Sequence, residues 1–258
     1  MTKKFPSITG KLPPLAAGAI LLTLWYLVCR AGLVPAYMLP SPTEVLYALW
    51  AERMILLEHA LTTLQEAFCG LALGVLLGFV CAMVMDAVPA LRRAVYPILV
   101  LTQTVPTVAI APLLVLWFGY GLLPKVILIV ITTFFPMTVG LLDGFGSADP
   151  DAVNLLRSMG AGRWQIFRYL KFPGALGQFF SALRICVAYC VVGAVISEWL
   201  GGFAGLGVYM TRVKKAFAFD KLFAVIFLIS AVSLALMALV DLIARLCMPW
   251  QHIQENKT

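Results

Sequence analysis

Residues 61–85 read LTTLQEAFCGLALGVLLGFVCAMVM, a nearly unbroken apolar run. As a helix such a run crosses the roughly 30 Å hydrocarbon core of a bilayer, whereas a membrane β-strand needs only about 10 residues of alternating polarity. Backbone amides in hydrocarbon find no water, so a run of this kind satisfies them internally by coiling into a helix. Five comparable runs accompany it: Pro14 to Val34, Ala94 to Phe118, Pro124 to Leu142, Phe179 to Leu200 and Lys221 to Met248. The expectation is an all-α polytopic membrane protein with six transmembrane helices. It forms a single transmembrane domain over residues 1–258, with a peripheral first helix at 14–34 and a core from about 61 to 248.

Composition agrees with that reading. Of the 258 residues 62% are hydrophobic and 12% are charged, and the mean hydropathy is +0.97. A soluble domain carries about 25% charge, so 12 acidic and 19 basic residues cannot cover a water-facing surface. Lys3, Lys4 and Lys11 before the first apolar run imitate a signal peptide, but no small-residue cleavage site follows, and the segment is read as a retained first helix. Six cysteines sit in or beside apolar runs without CxxC spacing, which speaks against a zinc or disulfide framework. Cys186 and Cys190, four apart, read as small packing residues.

Lysines and arginines set the expected orientation. With the N-terminus inside, the cytoplasmic segments hold twelve: Lys3, Lys4, Lys11, Arg92, Arg93, Arg157, Arg163, Arg168, Lys171, Arg184, Arg245 and Lys257. Seven fall outside, namely Arg30, Arg53, Lys125, Arg212, Lys214, Lys215 and Lys221. Both termini are therefore expected in the cytoplasm of a multi-pass protein of the bacterial inner membrane. Trp25, Trp117 and Trp250 suit interfacial belts.

Between the first two spans, Ser41 before Pro42 is a helix start, and Glu44, Glu52, Arg53, Glu58 and His59 make the segment too polar to span. It reads as an amphipathic surface helix with His59 solvated. His59 and His252 are too distant in sequence for a metal site. In the second span Gly70, Gly74 and Gly78 recur every four residues, a smooth stripe against which another helix can pack. The third span contains Thr102, Gln103, Thr104, Pro106, Thr107 and Pro112, too many polar and helix-breaking residues to face lipid. Gln103 and Thr104, beside Pro106, are candidates for a solute pathway. Asp241 and Arg245, four apart, are expected to pair.

The longest polar stretch, 143–177, reads as two short helices around a glycine. Asp149 caps the first helix, Pro150 takes its first position, and Gly160 stands where a left-handed C-terminal residue is needed, so a positive φ is expected there. Ala152, Val153, Leu155, Leu156 and Met159 make its apolar face, while Asn154 and Arg157 look away. The second helix, Arg163 to Phe172, puts Trp164, Phe167 and Leu170 on one side and Arg168 and Lys171 on another, and Pro173 stops it. On these residues alone an interfacial hairpin lying on headgroups fits equally well.

Asn154-Leu155-Leu156, three residues, Gly160, nine residues, then Leu170-Lys171-Phe172-Pro173 resembles the EAA loop of ABC importer permeases, whose pattern is EAA, three residues, Gly, nine residues and I-x-L-P. Gly160 and Pro173 match in spacing, while Asn154-Leu155-Leu156 departs from the EAA letters. Leu39-Pro40-Ser41-Pro42, Leu116 to Gly121, Arg157 to Ala161, and Glu198-Trp199-Leu200-Gly201 with Gly205-Leu206-Gly207 extend the likeness from about Leu39 to Trp250. They resemble the branch importing sulfonates, taurine, nitrate and thiamine-pyrimidine precursors, and Gly205 to Arg212 looks most like the last of these.

The resemblance implies a type I ABC importer permease fold working as two copies, with two ATP-binding cassette ATPase subunits and an extracytoplasmic solute-binding protein. Loop 143–177 would then be the coupling element, through Asp149, Ala152, Val153, Leu155, Leu156, Met159, Gly160, Ala161, Arg168 and Pro173. Gln103, Thr104, Pro106 and Glu198 would border the pathway, Glu198 at an outer gate. An acid at membrane depth is functional by default, or else an interfacial acid that reaches water. The chain has no GxxxxGK[ST]; Gly10-Lys11-Leu12 fails at every other position, so ATP and Mg belong to the partner ATPase and no cofactor is expected here. Paired acids, a nucleophile with its base and a metal cluster are absent, so neither enzyme activity nor a nucleic-acid partner is expected. A transporter or channel needing no ATPase would show charged relays or an inverted repeat, and neither is evident.

Overall fold

The computed structural model describes residues 12–35 and 37–249. Lys3, Lys4, Gly10, Lys11, Trp250, His252 and Lys257 lie outside the described residues. Among those described there are helices, turns and no strand. In chain order the helices are α1 (Leu12–Arg30), α2 (Pro42–Ala51), α3 (Arg53–Ala87), α4 (Pro89–Thr102), α5 (Thr107–Phe118), α6 (Leu122–Gly146), α7 (Pro150–Ser158), α8 (Arg163–Ile166), α9 (Phe172–Gly201), α10 (Leu206–Lys215) and α11 (Phe219–Cys247), with a π-helical turn, Phe167–Lys171, joining α8 to α9. The described residues form two compact units: those up to 57 with 209–228, and 58–208 with those from 229 to 249.

Four helical stretches are long and apolar enough to cross a membrane: Arg53–Ala87, Leu122–Gly146, Arg163–Gly201 and Phe219–Cys247. The expected first span is shorter, with an apolar helix over Ala16–Arg30. The expected third span is not one helix, because α4 and α5 meet at a bend of 94°. Pro106 causes it: a proline disfavours helical geometry in the residue before it and brings no N–H to the helical ladder. Pro106 instead becomes the N-cap of α5, in extended geometry.

In the first unit Ser41 caps α2 through a reciprocal pair: the Glu44 N–H donates to Ser41 Oγ at 3.4 Å and the Ser41 N–H donates to Glu44 Oε2 at 2.7 Å. The surface helix expected up to His59 ends at Ala51, and Glu58 and His59 belong to α3. Trp25 is half-buried here, its ring stacked on Phe227 at 5.7 Å and its indole N–H donating to the Pro40 carbonyl at 3.1 Å. Trp117 is exposed.

The second unit is organised by the glycine stripe of α3. A Cβ at Gly70 would lie 2.5 Å from Ile129, one at Gly74 2.0 Å from Thr133 Oγ1, and one at Gly78 2.9 Å from Met137. Each glycine thus faces one α6 residue, and both rows advance by four, so the two helices run in the same direction. Lys125 pairs with Glu66 one turn earlier in each row. This register decides what α4 and α5 do. Helix α3 climbs roughly 30 Å from Glu66 to its end at 1.5 Å per residue, yet α6 begins level with Glu66, so the bent pair carries the chain back across the same depth. Helix α9 then packs on α6 in the opposite sense, with Ala182 against Gly140 and Ala175 against Gly144. Cys186 and Cys190 are buried in the resulting core with Met137, Leu141 and Phe145, as small packing residues.

A side chain at Gly74 has no space on the α6 side. Gly74→Val should cost about 1–3 kcal/mol by overpacking and lower the thermal midpoint of the detergent-purified protein. Gly18→Val, where a Cβ meets nothing within 4 Å, should leave it nearly unchanged. Equal loss in both variants would sink the packing assignment.

Candidate functional site

At one end of the second unit the 149–173 segment forms a compact hairpin. Asp149 Oδ1 accepts from the Asp151 N–H at 2.9 Å and so caps α7. The exit of α7 is closed by two backbone bonds, Gly160 N–H to the Arg157 carbonyl and Ala161 N–H to the Leu156 carbonyl, both 2.9 Å. This Schellman pattern needs a left-handed residue at its apex, and Gly160 has φ +85°. The apolar residues of α7 do not share one face. Ala152, Val153 and Leu156 turn partly inward, while Leu155 and Met159 are 62% and 74% exposed one turn apart.

The second arm differs from expectation, because Pro173 does not stop a helix. The chain runs from α8 through the π turn into α9, and Pro173 falls in the first turn of α9, where a missing N–H costs little. The Phe172 N–H closes the π turn onto the Phe167 carbonyl. The arm is held at two places. Phe167 packs between Trp164 and Phe145, with ring centroids 5.6 and 5.1 Å away, and Lys171 Nζ donates to both oxygens of Asp86 at 2.7 and 2.8 Å. Arg168 points to solvent.

The opposite end of the same unit holds a buried polar cluster. Glu198 is 1% exposed; its Oε1 accepts from the Thr63 hydroxyl at 2.7 Å and its Oε2 from the Gly207 N–H at 2.6 Å. The carboxyl is therefore shielded from water within this chain while it holds the start of α10. Thr63 Oγ1 also accepts from the Leu206 N–H at 2.8 Å, and His59 Nδ1 accepts from the Gly205 N–H at 2.9 Å. Three consecutive backbone donors entering α10 are thus satisfied by side chains of α3 and α9. Gly205, at φ +119°, leaves no room for a Cβ, which would sit 2.2 Å from the Glu198 carboxyl. His59, expected to be solvated, is buried. Lys125, counted as a loop charge, is 5% exposed and paired with Glu66.

The bend between α4 and α5 exposes Gln103, Thr104 and Pro106 together. Glu198 does not join them, since its hydrogen bonds go to Thr63 and Gly207. Asp241 pairs across helices with Arg184 rather than within its own helix with Arg245, because Arg184 on α9 faces it directly. Four cluster members, His59, Thr63, Glu66 and Lys125, were not singled out from sequence as site residues. The available signal was an acid and a lysine each isolated within an apolar run.

Residues 74–249 match the family described as binding-protein-dependent transport system inner membrane component. The chain is 36% identical, over 94% of its length and 97% of the relative's, to the formylaminopyrimidine transport permease protein ThiX of Halalkalibacterium halodurans. It is 31% identical, over 90% of its length and 87% of the relative's, to the riboflavin transport system permease protein RibX of Chloroflexus aurantiacus. A chain of the MetNI methionine ABC transporter in an inward-facing crystal form shares its fold at a TM-score of 0.66 and 18% identity, covering 76% of this chain and 98% of that one. The hairpin, the parallel α3 and α6 pair and the matched family together place this chain among the inner-membrane permease components of ABC transport systems.

Proposed function

We propose that this permease acts as two copies joined to two ATP-binding cassette ATPase subunits and an extracytoplasmic solute-binding protein, moving a small polar solute inward. The 149–173 hairpin lies in the cytoplasm, as do both termini, and α7 is the coupling helix. One observation carries the reading: α7 is capped at both ends and presents Leu155 and Met159 outward, one turn apart, in a hairpin whose other arm is anchored by the Asp86 and Lys171 pair. An isolated nine-residue helix is marginal in water, so such capping favours a rigid element that transmits force. Asp149, Gly160, Ala161 and Pro173 shape the hairpin; Ala152, Val153 and Leu156 seat it; Leu155, Met159 and Arg168 meet the ATPase. Closure of the ATPase pair on ATP and Mg would turn these arms and with them α9.

The cargo we propose is a thiamine-pyrimidine precursor. A relative named for formylaminopyrimidine transport supports it, and the riboflavin relative is named for a solute that also contains a pyrimidine-type ring. Gln103 and Thr104, uncharged and exposed at the bend with Pro106, suit a neutral hydrogen-bonding heterocycle better than a sulfonate or nitrate anion. Glu198 belongs to an outer gate, holding the start of α10 against α3.

Gly160→Val imposes a Cβ on a left-handed residue, at a cost of about 1 kcal/mol or more, and should insert and assemble yet lose ATP-coupled uptake. Gly160→Asn, which tolerates that geometry, should retain it. Normal uptake in Gly160→Val would remove the hairpin from coupling.

Glu198→Gln keeps the shape but sets an amide N–H₂ against either the Thr63 hydroxyl or the Gly207 N–H, so a buried hydrogen bond is lost at a cost of about 1–3 kcal/mol. Uptake should fall severalfold with assembly intact; loss of assembly would make the acid purely structural. In proteoliposomes containing the purified assembly, native mass should give two copies of each membrane and ATPase subunit, and labelled aminopyrimidine should enter without competition from taurine. A working assembly with one permease copy would refute the dimer. Competition by taurine or nitrate, with none by pyrimidines, would refute the cargo.

A further inference from the structure

A cavity of about 470 Å³ opens between the end of α3 and the inner side of the hairpin. Its wall is apolar where Met83, Ala87 and Phe167 line it, and its charged lining consists of Arg157, Arg163, Lys171 and Asp86. Lys171 and Asp86 neutralise each other in a two-oxygen pair. Arg157 and Arg163 are exposed, and among the described residues neither guanidinium has an ion pair or a hydrogen bond. The cavity therefore carries two unsatisfied positive charges beside an apolar wall. It lies at the Ala87 end of α3, a helix long and apolar enough to cross a membrane, and a cavity at the end of a span is where lipid headgroups are expected. Trp164, 63% exposed and stacked on Phe167, lines the same cavity, as suits an aromatic ring at that depth.

We propose that this cavity binds an anionic phospholipid, its phosphate between Arg157 and Arg163 and the start of its acyl chains against Met83, Ala87 and Phe167. Charge complementarity and position at the end of a span select the lipid. A guanidinium fork meets phosphate with two parallel N–H donors, which two arginines on neighbouring helices can offer together. An acidic side chain of the ATPase could meet the same guanidiniums, but it would leave the apolar wall uncovered. Because Arg157 lies on α7 and Arg163 on α8, the bound headgroup would bridge the two arms of the hairpin and tie them to the membrane surface. The inference is independent of cargo and of the coupling role of α7.

The test uses the assembled transporter, ATPase subunits included, in vesicles of phosphatidylcholine doped with brominated phosphatidylglycerol or brominated phosphatidylcholine. The fluorescence quenched in wild type but absent from Trp164→Phe reports the cavity. Two headgroup contacts predict a preference for phosphatidylglycerol of roughly thirtyfold, falling about fivefold in Arg163→Gln and vanishing in the Arg157→Gln, Arg163→Gln double variant. Equal quenching by the two lipids would overturn the proposal, as would a preference that survives the double substitution. A preference seen only in the permease without its ATPase would overturn it too, by assigning the arginines to the subunit interface.

Discussion

Helix α3 approaches α6 closely enough that three of its residues can have no side chain, and the second unit is built around that approach. Between apolar helices in lipid there is no hydrophobic drive, so association rests on dispersion contacts and buried hydrogen bonds, both of which fall off steeply with distance. Gly70, Gly74 and Gly78 remove the obstacle, and Ile129, Thr133 and Met137 fill the groove at matching heights. The four-residue row continues upward into Glu66 and Lys125, so the register that packs the apolar groups also sets the ion pair. A slip of one residue would lose both. Burying one of these charges without its partner costs several kcal/mol, which gives the register a penalty against error as well as a reward for fit.

The polar groups in the spans are separated by depth. At one end Glu198, Thr63 and His59 take the Gly205, Leu206 and Gly207 N–H donors that enter α10, so these buried amides are satisfied by side chains. At the other end Asp86 and Lys171 join α3 to the start of α9 beside the hairpin. Between them the bend at Pro106 breaks a span and leaves Gln103 and Thr104 exposed. Both ends are cross-linked between helices by side-chain hydrogen bonds, while among the described residues the hydrogen bonds at the bend are local, such as Thr104 Oγ1 to the Leu101 carbonyl at 2.8 Å.

The hairpin joins opposite requirements in a few residues. It needs a tight reversal, supplied by Gly160, and a stiff connection into α9, supplied by a π turn that delivers Pro173 to a position where no N–H is needed. Phe167, stacked on Trp164 and edge-on to Phe145, ties the arm to α6 without fixed charges, leaving Arg168 on the outside and Arg157 and Arg163 at the cavity beside α3. Asn154 stands where the EAA pattern has its acid, and the capping of α7 at Asp149 and Gly160 is intact despite that departure.

Local chemistry was legible in the residues themselves. Apolar run length fixed the fold class, because lipid admits only self-satisfied backbones, and four of the expected spans recur as long helices. Ser41, Asp149 and Gly160 announced helix boundaries because capping depends on near neighbours in sequence. The glycine stripe announced a close contact without naming its partner. What tertiary structure alone decided were pairings across helices. Asp241 meets Arg184 in place of Arg245, Lys125 leaves the loops to join Glu66, and His59 goes inward to meet Gly205. Each pairing spans at least 57 residues of chain, and which helix faces which follows from packing register, a property that no local pattern of residues contains.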